Sequence, residues 1–147
     1  MSKMFHFPKW SLVAGDVKVN LNLTRFEGQY EKAQFWLDGQ VMNDMVPYMS
    51  HREGNFINQT RAYSASLQGT GQVAAAFGVQ GRFLYEGKVM VDEVTGSPWA
   101  RKGAKKVVTE RPLKYSNLKA TPRWFNTAKD AQGRDWVKGV KRYAGGK

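Results

Sequence analysis

Apolar and polar residues alternate without a fault along Val17-Lys18-Val19-Asn20-Leu21-Asn22-Leu23. A period of two is that of a half-buried strand with Val17, Val19, Leu21 and Leu23 facing inward. The period then changes. Phe26, Tyr30, Ala33, Leu37, Val41 and Met45 recur at intervals of three and four, the stripe of one helix face. Asn22 or Thr24 is placed to cap this helix, and Thr24 followed three residues later by Glu27 has the form of a capping box. Pro47 and Gly54 mark its end. A second side of the helix is apolar too. Phe35 and Met42 project nearly opposite the stripe at about 100° per residue, and Trp36 lies on a flank. Such a helix is either enclosed by a core or shared with another subunit. One small domain rarely encloses a helix, so the expectation is a subunit surface carrying Phe35, Trp36 and Met42, poorly covered within one chain.

Further on, Tyr63, Ala65 and Leu67 alternate, as do Val73, Ala75, Phe77 and Val79, around Gly69-Thr70-Gly71. Two alternating runs about a short glycine loop predict a β-hairpin over 61–79, with Gly69 or Gly71 at positive φ. The run Gly69-Thr70-Gly71-Gln72-Val73-Ala74 also matches the letters of a dinucleotide fingerprint, but that chemistry requires a helix to open there, and the alternation that follows reads as a strand. Residues 92–121 show little periodicity and predict an extended loop, within which Lys105-Lys106-Val107-Val108-Thr109 reads as a short strand. Thr121-Pro122 reads as the cap and first turn of a last helix, with Phe125, Ala128, Gln132, Trp136 and Val140 at helical spacing. Gly133 and Gly139 weaken that helix by up to about 1 kcal/mol each. The pattern as a whole predicts one α+β domain over 1–147. A long N-terminal helix and a C-terminal helix pack on a small antiparallel β-sheet built around the 61–79 hairpin, with a long basic arm at 92–121.

Composition changes this picture in two ways. The 147 residues include no cysteine and two histidines, His6 and His51, far apart. Disulfides, thiolate nucleophiles and cysteine or histidine-rich metal sites are thereby excluded. No apolar run approaches a bilayer span and Met1–Trp10 lacks the apolar block of a secretory signal, so neither a membrane segment nor a signal is expected. No Ser/His/acid set is arguable: His51 reads as a turn residue, and Glu86, Asp92 and Glu93 as solvated or salt-bridged acids. No enzyme activity, cofactor or metal is expected. The charge is the positive signal. The net charge is +11, and residues 81–147 contribute +10 of it. Eight basic residues lie between Trp99 and Phe125, namely Arg101, Lys102, Lys105, Lys106, Arg111, Lys114, Lys119 and Arg123, against one acid, Glu110. Trp99, Tyr115, Trp124 and Phe125 are interleaved with them. Cations among aromatics suit stacking on bases and neutralising phosphates, and equally suit a protein interface. The expected contact residues of the arm are Arg101, Lys102, Lys105, Lys106, Arg111 and Lys114, toward protein or DNA, with Trp99 and Tyr115 as interface anchors. Charge of one sign predicts an arm that is mobile in a free subunit.

Four segments together resemble the minor capsid proteins of tailed bacteriophages with long non-contractile tails, relatives of head–tail connector and tail-completion proteins. They are Lys32-Ala33-Gln34-Phe35-Trp36-Leu37-Asp38-Gly39-Gln40-Val41-Met42-Asn43-Asp44, then Pro47-Tyr48 with Arg52-Glu53-Gly54-Asn55-Phe56, then Arg82-Phe83-Leu84-Tyr85-Glu86-Gly87-Lys88-Val89-Met90-Val91-Asp92. The fourth joins Arg111-Pro112-Leu113-Lys114-Tyr115-Ser116 to Lys119-Ala120-Thr121-Pro122-Arg123-Trp124-Phe125 and runs into Trp136-Val137. The resemblance spans roughly Val17 to Arg142; Ser50 stands where relatives often carry a second proline. It implies a structural subunit of the virion neck, assembled in the host cytoplasm. Such a subunit forms a homo-oligomeric ring between the portal side of the head and the tail tube, beside other neck and tail proteins and around passing genomic DNA. A small basic nucleic-acid-binding protein is the alternative that the charge alone would allow.

Overall fold

The computed structural model describes residues 10–14, 17–21, 24–52, 54–78 and 80–145, with side chains from Phe26 onward. The expected inward faces of Val17, Val19, Leu21 and Leu23, the caps at Asn22 and Thr24, and Val79 lie outside the described residues. Two short strands, β1 (Trp10–Ala14) and β2 (Val17–Leu21), pair antiparallel with Ala14 opposite Val17. Helix α1 runs over Thr24–Met45 and passes into a single tight turn at Val46–Tyr48, where Pro47 sits in the first turn. Helix α2 (Asn55–Leu67), a short α3 (Gly81–Glu86), strands β3 (Lys88–Asp92) and β4 (Lys106–Pro112), and helix α4 (Trp124–Tyr143) follow. β3 and β4 form a second antiparallel pair, irregular between Lys88 and Met90. The class is α+β as expected, but its organisation differs. α1 and α4 pack on each other, and the strands form two separate ribbons.

The expected hairpin over 61–79 is absent. Residues 61–67 complete α2, and 72–78 run without regular structure. Its buried stripe is Ile57, Thr60 and Ser64, at helical spacing but mostly polar, so no apolar signal marks it. Thr60 is tolerated inside because its hydroxyl donates to the Phe56 carbonyl at 2.8 Å. Tyr63 and Ala65, on one side of the expected strand, are both exposed on the helix. Gly69 and Gly71 do have positive φ, 92° and 81°, but in the turn that ends α2 rather than between strands. No helix begins at 71–74, and both glycine N–H groups donate to Oδ2 of the buried Asp38 on α1, at 2.8 and 3.0 Å. The glycine turn therefore holds the chain's own carboxylate, where the fingerprint would have held a phosphate.

The core gathers where α1, α2, α3 and α4 meet. It contains Val41, Met42, Met45, Met49, Ile57, Trp124, Ala128 and Trp136. Trp124 is fully buried, edge-on to Phe56 and Tyr85 with ring centroids 6.0 and 4.9 Å away, and its indole N–H donates to the Ala75 carbonyl at 2.8 Å. Trp136 lies over Phe125 and donates to the Asp44 carboxylate at 2.6 Å. α4 begins at Trp124, later than Thr121-Pro122 predicts. The preceding N–H groups are used elsewhere: Thr121 donates to the Tyr48 carbonyl and Arg123 to the Tyr85 carbonyl. Arg123 takes a left-handed conformation, φ 50°, to make the join, and its guanidinium holds Glu86 at 3.0 Å.

The two-faced helix resolves unevenly. Phe35 is 54% exposed, as expected of an uncovered face, but Met42 is 5% exposed and belongs to the core. Trp36 is half-buried against α4, tilted on Tyr143 with centroids 5.5 Å apart. The second stripe thus splits, because α4 covers one flank of α1 and α2 the other.

Gly139 owes its place to Trp36, since a Cβ there would overlap the indole ring. A Cβ at Gly133 would make only an ordinary contact with Lys129 at 3.7 Å. Gly133→Ala should therefore raise stability by about 0.5–1 kcal/mol through helix propensity. Gly139→Ala should lower it by about 1–3 kcal/mol through overpacking. Thermal or urea unfolding of both variants checks this; equal effects of the two would contradict the packing account.

Candidate functional site

Two features carry binding chemistry: the β3–β4 ribbon with its tip, and a groove at the ribbon's root. The tip, residues 93–105, is organised on one side chain. Asp92 is fully buried at the end of β3. Its carboxylate accepts the N–H groups of Val94 and Thr95 on Oδ1, at 2.8 and 3.1 Å, and the N–H of Arg101 on Oδ2 at 3.2 Å. The Arg101 guanidinium adds bonds at 3.1 and 3.4 Å. The Asp92 backbone closes the turn as well, its N–H donating to Ser97 O and its carbonyl accepting from Gly96 N–H. The side chain thereby makes an Asx-type turn and an ion pair at once. The Arg101 guanidinium, followed by these N–H groups, holds the Asp92 carboxyl well below the usual carboxylate range.

This arrangement bears on two expectations. The short strand expected at Lys105–Thr109 is present as part of β4, while the first part of the 92–121 segment, expected to be mobile, is tied down by Asp92. Arg101, expected as a contact residue, is ion-paired with Asp92 while its side chain stays 59% exposed. Lys106 is committed too, donating to the Pro98 carbonyl at 3.0 Å. Lys102, Lys105, Arg111 and Lys114 have no acidic partner among the described residues. Between them the tip presents Trp99, 87% exposed, and Val94, 75% exposed. Successive strand residues point to opposite faces, and Val107 and Val108 are both exposed, so neither face of β4 is covered within the subunit.

At the other end of β4 the chain is laced to the core. Leu113 N–H donates to Gly87 O at 2.8 Å, and the Tyr115 hydroxyl donates to Leu84 O at 2.6 Å. Burial pushes the Tyr115 hydroxyl above its ordinary pKa. Gly87 turns at φ 69°, and a Cβ there would strike Pro122 and the Tyr115 hydroxyl. Ser116 and Asn117 bond the backbone of His51 and Met49. Tyr115, expected as an interface anchor, is half-buried and engaged inside the subunit. Beside it opens a groove of about 840 Å³, floored by Phe56, Phe77, Leu84 and Leu113, with Arg52 and Lys114 among its lining residues.

The structure therefore groups Trp99, Arg101, Lys102, Lys105 and Lys106 at the tip and Arg111, Lys114 and Tyr115 toward the root. Phe35 and Trp36 are on α1, and Met42 is inside. The role of Asp92 was missed in the sequence, although Asp92 followed by Thr95-Gly96-Ser97-Pro98 is a turn-forming run. Among the described residues no three of His, Asp and Glu converge as metal ligands, and no helix is long and apolar enough to cross a membrane. Comparison with protein-family models, curated proteins and solved structures finds no match for this chain.

The low-lying Asp92 carboxyl sets a pH dependence. A depressed folded pKa contributes stability that is present above the unfolded value, about 3.9, and is lost as pH falls below it toward the folded value. Amide exchange across 93–105 should stay slow at neutral pH and accelerate, beyond the intrinsic pH effect, below about pH 4. Asp92→Asn should expose the same amides at pH 7 and remove that acid step. Unchanged protection in the variant would show that the tip is held by something else.

Proposed function

We propose that this chain is a structural subunit of a bacteriophage neck. It assembles into a ring that joins the portal side of the head to the tail tube and forms part of the DNA exit channel. The observation that carries the assembly role is the ribbon tip. Trp99 and Val94 are large, exposed and apolar, and Asp92 holds their loop in one shape. An aromatic anchor on a preorganised loop loses little entropy on docking, and unpaired Lys102 and Lys105 beside it can meet a partner's carboxylates. The second support is the ribbon body, because β4 is exposed along nearly its whole length, and a two-stranded ribbon with an uncovered strand is marginal alone and gains from a neighbour. Phe35 on α1 offers a further uncovered patch, and head-to-tail packing of different patches closes rings. The placement in the neck rests on the four resembling segments.

Protein is the favoured partner of the tip, because a grip on DNA would hinder its exit. Trp99→Ala should leave the subunit folded, within about 0.5 kcal/mol, and weaken assembly by about 2 kcal/mol or more. Mass measurement of the assembled species with light scattering, and a cryo-EM map of the particle, test this together. An unchanged assembly would remove the tip from the interface. DNA affinity falling steeply with salt, and lost in Lys102→Ala and Lys105→Ala, would favour the nucleic-acid-binding reading instead.

A further inference from the structure

The groove at the ribbon root is separate from the tip. β4 lies between them, about 20 Å long for its seven residues. Its floor is apolar, from Phe56 on α2, Phe77 from the irregular segment, Leu84 on α3 and Leu113 after β4. Its charged lining is of one sign. Arg52 and Lys114 line it, and no acidic residue does so among the described residues. Neither cation has a salt-bridge partner there. Asn55, Gln59 and Gln80 line it as well, exposed and with side chains that make no hydrogen bond among the described residues. Two hydroxyls that line it, those of Tyr115 and Ser116, are already given to Leu84 O and His51 O.

We propose that this groove binds an extended segment of a partner protein that carries carboxylates flanking an apolar side chain. Each component matches a part of the wall. The apolar side chain would sit on Phe56, Phe77 and Leu84, removing exposed apolar surface from water. The carboxylates would pair with Arg52 and Lys114. The free amides of Asn55, Gln59 and Gln80 would bond the segment's backbone. A second copy of the chain is a poor occupant through its tip, because Lys102 and Lys105 would meet Arg52 and Lys114, and like charges brought together oppose binding. The inference does not depend on the neck reading. It concerns the free subunit and would hold for any assembly containing it.

The test uses the full chain and an array of synthetic peptides of about ten residues, enough to span the groove in extended form. Leu, Phe or Trp is flanked by Asp and Glu. One control set replaces the acids by Lys, and a second replaces the apolar residue by Ser. Binding is read by fluorescence anisotropy and by chemical-shift changes. The expected result is binding of acidic–apolar peptides over both controls, with shifts at Phe56, Gln59 and Leu84. The double variant Arg52→Glu/Lys114→Glu should weaken it by about tenfold or more, whereas Lys102→Glu/Lys105→Glu at the tip should leave it within about twofold. Both pairs lie on exposed surface, so the thermal transition should be unchanged in each. The proposal is overturned if no acidic–apolar peptide binds, if the serine control binds as well, or if the tip variant weakens binding as much as the groove variant. A failure of these arms leaves the assembly assay of Trp99→Ala untouched, so the two readings fall separately.

Discussion

The fold depends on the burial of one indole. Trp124 opens α4 and reaches the aromatic rings of α2 and α3, through Phe56 and Tyr85, and the carbonyl of Ala75 in the irregular segment after α2. Those elements contribute few buried residues of their own: α3 has only six residues, and the stripe of α2 is mostly polar. A side chain that makes both apolar contact and a hydrogen bond joins them without leaving its N–H unsatisfied. The backbone bonds from Thr121 and Arg123 to the Tyr48 and Tyr85 carbonyls deliver Trp124 to that position. The positive φ of Arg123 is therefore tied to the same junction.

A second buried group performs the corresponding task outside the core. Asp92 organises the tip by electrostatics where no apolar side chains are available. Five donor contacts to one carboxylate replace the hydrophobic packing that a loop of this composition lacks. Asp38 does the same on a smaller scale for the turn after α2. In both cases an anion inside a strongly basic chain makes a segment rigid, leaving other cations unpaired on the surface. That division makes the ribbon suited to docking: its shape is held internally, while Lys102, Lys105 and Trp99 remain outward.

Helix α1 and the alternation at Val17–Leu21 were legible in the sequence, because a long run keeps one period and each position repeats the same information. α4 was legible for the same reason, apart from its first turn. β1 is less legible, because Trp10-Ser11-Leu12-Val13-Ala14 is short and keeps no strict alternation. The second half of α2 reads as a strand in the sequence because Tyr63, Ala65 and Leu67 happen to alternate, while its buried positions include Thr60 and Ser64, which carry no hydrophobic signal. The split of Phe35 from Met42 was likewise hidden, since both are apolar and only the positions of α2 and α4 decide which is covered.

The sequence by itself determined the class of the molecule: two long helices near its ends, a basic C-terminal half, and no cysteine for thiol chemistry. These are local or summed properties, and they survive any arrangement of the elements. Only the tertiary structure decided that β3 and β4 pair into a ribbon whose tip Asp92 holds, and that Arg101 is the cation paired with it. It alone decided, too, that Tyr115 is engaged and that Arg52, 62 residues before Lys114, shares a groove with it. Each of those facts is a pairing between positions far apart in the chain or a choice among equivalent cations. A composition cannot specify which charge finds which partner, because that depends on the distances that folding alone sets.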